Sequence, residues 1–418
     1  MNPAVRRSNT THAIRFLIGG LIVLGVVALD IARGEAHKAI TSKYTYNDDV
    51  FPIFRDRCAR CHVPGGVAPM SLMTYDEAFP WAESIRAELV ASHMPPWNAD
   101  EGFGELKRAH TLSSKELDVI MTWASGGNPR GSLDQKLPEV TLKNQWTMGA
   151  PDLALPLPSE FTVAADKMED TQEFTLATGL TEARWVRAVD LLPGTPSIVR
   201  SAVIVVKGAS AAETPLAPDR VLARWVPGQD GEPLDNGAAF RLPAGAELVA
   251  RIHYKKTWQF EGKPLSDRST VGVYFAPGRD ARELLTVPIT SPALPGADAV
   301  NRTVVFSQTV DADVQALALS PEQVPPNITL QVEAVRPDGS RSPMIRLNTR
   351  PDWERRYWFE RPLALPRGTR VEVTANLEDP DILSAAFSVA TPPRTAPPPS
   401  KVRLALNVVP AHGKPVAP

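Results

Sequence analysis

The chain has 418 residues, with 45 Lys and Arg against 47 Asp and Glu and a net charge of -2. That balance excludes the basic field of a nucleic-acid-binding protein, and at roughly 100 to 200 residues per domain the length holds about three domains. Forty-one prolines, where about one residue in twenty is usual, concentrate after residue 125 and suit strand edges and turns better than helices.

Residues 1–36 read as a signal peptide or an N-terminal membrane anchor. Arg6, Arg7 and Arg15 precede the uncharged run Phe16 to Leu29, and Gly34 and Ala36 supply small residues for cleavage. The run is shorter than the roughly 20 residues that span a bilayer comfortably, although extension past Asp30 to Ala32 makes a thin anchor. Either way the remainder is expected to be periplasmic.

Residues 44–130 read as a small all-α domain. Asp48 or Asp49 is expected to cap a first helix carrying Val50, Phe51, Ile53 and Phe54 into Cys58. A second begins at Thr74 and Glu77, with capping-box spacing, and runs to about Ser92 with Trp81, Ile85, Leu89 and Val90 on its buried face. A third begins at Ser113 and Glu116 and stops at Gly126 and Gly127.

Residues 131–158 lose periodicity and read as a linker. Beyond it the pattern turns to β, with strands expected at 199–206, 248–254 and 270–275. After a loose stretch from Pro277 to Asn301, more are expected at 303–306, 328–335, 357–359, 370–375 and 402–409. The fold expected is therefore an all-α domain followed by two tandem antiparallel β-sandwiches, 159–276 and 300–410. Thr391 to Pro399 reads as a loop or strap, and 411–418 as a tail.

The densest chemical signal is Cys58-Ala59-Arg60-Cys61-His62, which uses both cysteines of the chain. Two thiols three positions apart suit thioether bonds to the two vinyl groups of one haem, and the next residue places an imidazole under the iron. A disulfide, a redox dithiol and half a zinc site are the alternatives, but zinc needs about four protein ligands and no second cysteine pair exists. One covalent haem c is expected, held by Cys58 and Cys61 with His62 as axial ligand. Met94 is the expected second axial ligand, because Pro95 and Pro96 stiffen the turn that presents it. Met70, only eight residues past His62, and His93 or an open position are the alternatives. Met73 and Met121 read as packing, as do Trp97 and Trp123 beside the porphyrin.

Together with Pro64 to Leu72, Tyr75, Pro80-Trp81-Ala82 and Met94 to Trp97, the motif resembles the haem module of exported bacterial proteins in which a c-type cytochrome is fused to a copper type II, ascorbate-dependent monooxygenase-like region, similar to peptidylglycine hydroxylase. The resemblance is weaker beyond residue 130, where Trp146, Gly179 to Val186, His253-Tyr254 and Leu365 to Arg370 carry it. It implies two jelly-roll sandwiches meeting at a cleft. It also implies a His-His pair where this chain has Arg200-Ser201, and a His-x-His near Pro321-Glu322-Gln323-Val324. Of those imidazoles His253 alone is present, and besides it the chain past the haem module has just His412. Copper sites are built mainly from imidazole and sulfur, so no catalytic copper is expected.

Two readings of function follow. In the first the chain is an electron-transfer cytochrome that uses its β region to dock or scaffold redox partner proteins, a membrane respiratory or photosynthetic complex being a candidate. In the second it is a haem- and copper-dependent monooxygenase. The missing imidazoles favour the first.

Overall fold

The computed structural model describes residues 41–107, 111–207, 220–231, 233–234, 237–277, 281–295, 302–350, 353, 355–377 and 401–411. The segment 1–36, the stretch Thr391 to Pro399 and His412 lie outside the described residues. The molecule is mostly β-sheet with a few short helices.

The helical elements precede the sheets and are more broken than their sequence periodicity suggests. The first begins one turn earlier than expected. Thr45, not Asp48 or Asp49, caps it, with its hydroxyl accepting from the Asp48 amide while the Asp49 carboxylate accepts from the Thr45 amide at 2.8 Å. Its turns at Tyr46–Val50 and Phe54–Cys58 are wide, Phe51 N donating to Tyr46 O and Ala59 N to Phe54 O; such turns recur at functional sites.

The second helix is interrupted at Pro80 into Tyr75–Ala78, a tight turn at Phe79–Trp81, and Ala82–Val90. The phase change brings Ala78 and Ala82 inward and leaves Val90 64% exposed, against the expected buried face. The third, Ser114–Ser125, has the expected capping box from Ser113 and Glu116. Tyr46, Phe54, Ile120 and Trp123 are almost fully buried together, and the Tyr46 hydroxyl donates to Leu72 O at 2.8 Å. Met121 is half-buried beside Ser42 and lies outside this cluster.

Two sheets follow around one apolar core. One runs Glu169–Ala177, Glu247–Lys255, Val199–Val206, Arg220–Trp225; the other runs Leu153–Pro156, Thr270–Phe275, Arg184–Leu192, Ala238–Leu242, Arg282–Glu283. A second pair encloses another core. Its sheets run Leu285–Thr290, Arg403–Pro410, Val314–Gln323, Tyr357–Leu365 and Thr303–Thr309, Arg370–Asn376, Thr329–Val335, Arg341–Asn348. Every described pairing is antiparallel except Arg282–Glu283 on Ala238–Leu242. The arrangement is consistent with two β-sandwiches.

Three strands fall in stretches read as structureless, the shortest being Arg282–Glu283 in the loose stretch after Pro277. Leu153–Pro156, within the supposed linker, pairs with Thr270–Phe275, and Leu285–Thr290, in the loose stretch after Pro277, pairs with Arg403–Pro410. Both are edge strands, where proline is tolerated and one face stays wet, so neither carries the continuous apolar run of a central strand. Glu169–Ala177 is another edge strand, and its alternating exposure hides in a mainly polar sequence.

The segment 97–107 leaves the helices and straps onto the second sandwich. Ala99 bridges Leu347 and Leu106 bridges Phe359. Asp100 N donates to Arg346 O, and Lys107 N to Trp358 O, at 2.9 and 2.8 Å. Ala99 and Leu106 are buried in the core of that sandwich, so the chain just past Met94 belongs to the β region in packing.

Candidate functional site

The Cys58–His62 stretch closes the first helix as a hydrogen-bonded turn, with His62 N donating to Cys58 O at 2.8 Å and Cys61 N to the same carbonyl at 3.1 Å. Both sulfurs and the imidazole thereby face one cavity of about 380 Å3, which also receives Met70 and Met94. Phe54, Leu72, Ile85, Leu89 and Ile120 give it an apolar wall.

The His62 ring donates from Nδ1 to Met70 O at 3.2 Å. That bond fixes the tautomer and leaves Nε2 unprotonated, the form an imidazole needs to ligate a metal. Burial lowers the His62 pKa, opposed by the Met70 carbonyl, so the ring is neutral near pH 7. Burial pushes the Cys58 thiol up to about 12 and the Cys61 thiol to about 11, although Arg200, Arg355 and Arg60 pull the second down. Reactive dithiols have depressed thiol pKa values, so this pair does not have the electrostatics of a redox dithiol. Neither cysteine is in a disulfide.

The methionines separate by position. The Met70 carbonyl is bound to the His62 ring, which ties its backbone to the histidine side of the cavity. Met94 follows the helix Ala82–Val90, two residues past Ser92 in the left-handed region, φ 53°, and lines the same cavity. Met73 is buried in the helical core. His93 points its Nδ1 at Glu88, 3.0 Å away, and is not part of the cavity wall. Trp97 is part of it, and its indole nitrogen is buried with no hydrogen-bond partner among the described residues. Trp123 packs away from the cavity and donates to Pro129 O at 3.2 Å. Two thiols, a neutral imidazole with Nε2 available, a thioether at Met94, an apolar wall and a buried indole donor fit a covalently attached haem.

Sequence reasoning did not find the remaining wall, which comes from both sandwiches: Arg200, the loop Pro227 to Asp230, and Trp353, Arg355 and Arg356. The loop presses on the motif. A Cβ at Gly228, φ +75°, would stand 3.1 Å from Cys61 Sγ, and Arg60 pairs with Asp230 at 2.5 Å. Arg355 donates to Pro96 O at 2.8 Å. The local signal for these residues was an arginine beside a β-bulge and a glycine in a turn, and neither names a partner more than a hundred residues away.

The positions that resemble copper ligands are held in other ways. His253 lies beside Ser201 in register, with Nδ1 3.1 Å from Thr171 Oγ1 and Nε2 3.9 Å from a Glu169 oxygen. Glu322 pairs with Arg403 at 2.9 Å. Among the described residues no group of three or more His, Cys, Asp or Glu side chains gathers as a metal site.

A second cleft, of about 730 Å3, lies behind Ala59 and Arg60 between the motif, the 138–147 segment and the first sandwich. Asp190 lines it, its carboxyl raised to about 6 by burial.

No family model and no curated protein matches this chain. Solved structures that it resembles include an oxalate decarboxylase of Bacillus subtilis, at 7% identity and TM-score 0.15 over 67% of this chain and 86% of that one. The 11S allergen of Cocos nucifera L. aligns at 9% identity and TM-score 0.14, covering 62% and 89%. The tandem CBM22 domains of Paenibacillus barcinonensis Xyn10C align at 10% identity and TM-score 0.12, covering 66% and 99%. Scores this low carry no weight for fold or chemistry.

Proposed function

We propose that this chain is an exported, periplasmic c-type cytochrome for electron transfer. In this reading residues 44–130 form a small all-α haem domain, and two jelly-roll sandwiches, 159–276 and 300–410, form a non-catalytic region that docks redox partner proteins. The observation that carries it is the single cavity receiving Cys58, Cys61, His62 and Met94.

Each group has a distinct task. Cys58 and Cys61 would anchor a haem by thioethers, and His62, held by Met70 O, would present Nε2 to the iron. Met94, which lines the same cavity, would offer the iron a soft thioether, a ligand that favours the ferrous state. Bound haem supplies a one-electron couple. The chain supplies the rest: apolar residues that exclude water, and the His62 and Met94 side chains, which would hold the iron and keep substrate from it.

The β region supports the non-catalytic half of the reading. One imidazole at His253, next to Ser201 and Thr171, is a poor copper site, and a guanidinium at position 200 repels a cation.

Denatured protein should keep its haem on a gel, and Cys58→Ala with Cys61→Ala should lose it. Haem that acidified organic solvent extracts from the native chain would overturn the proposal.

A further inference from the structure

We propose that Arg200 and Arg355 of the β region, with the Trp97 indole N–H, bind the two propionates of the haem, so that the sandwiches complete the cofactor site and set its reduction potential. The inference rests on the haem reading above and gives the β region a role that docking alone does not.

Charge is the first argument. Among the described residues the cavity wall includes the guanidinium groups of Arg200 and Arg355, beside an apolar surface from Phe54, Leu72, Ile85, Leu89 and Ile120. Guanidinium groups at the wall of an apolar cavity suit a ligand that is apolar over most of its surface and carries carboxylates at one edge. Arginine is the residue whose planar fork matches a carboxylate.

Placement is the second. Strand pairing passes from Val199↔Tyr254 to Ser201↔His253, so Arg200 is the extra residue of a β-bulge, a device that re-aims a side chain. Its guanidinium stands 6.0 Å from the Trp353 ring at the cavity wall. Arg355 is fixed from the opposite sandwich by Pro96 O, 5.6 Å from the Trp97 ring. Trp97 supplies a donor that is already desolvated and has no acceptor among the described residues. Such a donor costs stability unless it is satisfied, and a propionate oxygen satisfies it.

A cation held beside the haem disfavours the extra positive charge of the ferric state, so both arginines raise the potential. The test uses the full chain with haem attached, titrated at equilibrium. Arg200→Gln and Arg355→Gln should each keep covalent haem and shift the equilibrium about tenfold toward ferric, about 59 mV for one electron. Arg200→Lys should recover most of the shift by restoring the charge. Arg355→Gln also frees Pro96 O, so Arg200→Gln is the decisive variant. Potentials within twofold of the native equilibrium in both Gln variants would overturn the inference. A second readout needs no variant: the propionate bending mode in the resonance Raman spectrum should differ between the folded protein and its haem peptide in water, and identical modes would overturn it too. Absence of covalent haem from the native chain would instead defeat the haem reading, before any arginine is changed.

Discussion

The strap from Trp97 to Lys107 connects the Met94 turn to the second sandwich, and Gly104 is its tightest point. With φ at +81°, Gly104 occupies the left-handed region, and a Cβ there would stand 1.9 Å from Met344 O and 2.6 Å from Met344 C. Since ordinary contact begins at 3.4 Å, Gly104→Ala forces the two backbones roughly 1.5 Å apart, and a side-chain adjustment cannot relieve the clash. Such a shift stretches the flanking bonds Asp100 N to Arg346 O and Glu360 N to Glu105 O, both 2.9 Å. At about 1 kcal/mol for each bond and about 1 kcal/mol for a side chain in the left-handed region, the loss is roughly 3 kcal/mol. Gly102→Ala is the internal control. Its φ is +79° with nothing within 4 Å of the added Cβ, so only the conformational cost of about 1 kcal/mol applies. Urea unfolding followed at the haem band, with midpoints compared at equal slope, should separate the two by about 2 kcal/mol. The Gly104 variant should also weaken the sulfur-to-iron absorption of the oxidised protein, because the strap no longer holds the Met94 turn. Equal losses in both variants, with that band intact in each, would refute the coupling of strap to ligand.

Met94→Ala should leave haem attached but abolish the sulfur-to-iron band and lower the potential, while Met70→Ala retains both; a reversed pattern in the visible spectra means the ligand was misassigned. Asp190 is raised to about 6 mainly by burial, against the Leu191 amide and with Asp230 adding to the rise. Because this folded value lies above the unfolded one, its stabilising effect is full below about pH 4 and is lost as pH rises through about 6, a change of roughly 3 kcal/mol. Asp190→Asn, which keeps the acceptor for the Leu191 amide at 2.8 Å, should remove that slope from denaturation curves taken between about pH 4 and 7, and an unchanged slope places the titration elsewhere. Copper loading followed by dialysis against a mild chelator should leave iron near one per chain and copper near zero by elemental analysis. Stoichiometric copper that disappears in His253→Ala would restore the monooxygenase reading.

Where chemistry is local, the sequence was enough to point to it. Cys58, Cys61 and His62 share one helical turn, so their spacing places two thiols and an imidazole on one wall whatever the remainder of the chain does. Capping at Ser113 and Glu116 was legible for the same reason, since both partners lie within one turn. Val199–Val206 and Thr270–Phe275 announced themselves through β-branched and apolar residues, the first burying alternate positions and the second its four middle ones. Other strands did not, among them the central Arg184–Leu192 and Val314–Gln323, interrupted by charged residues or proline, and edge strands whose wet face admits the polar residues of Glu169–Ala177 and the prolines of Leu153–Pro156 and Leu285–Thr290. Pro80 is visible in the sequence, but the change of helical phase that leaves Val90 outside is a geometric consequence that periodicity cannot show.

The sequence alone thus determined the thiol and imidazole set, the class of cofactor expected from it and the predominance of β structure after residue 130. Tertiary structure alone decided what closes the cavity. Arg200 and Arg355 lie 155 positions apart in the sequence, one on a bulge and one before a strand, and nothing in their neighbours marks either as facing the cysteine motif. They meet at one cavity because two sandwiches and the strap from Trp97 pack around it. The physical reason is range: thioether spacing and helix caps are set within a turn of backbone, whereas the charge around a cavity is the sum of side chains that only long-range packing brings together.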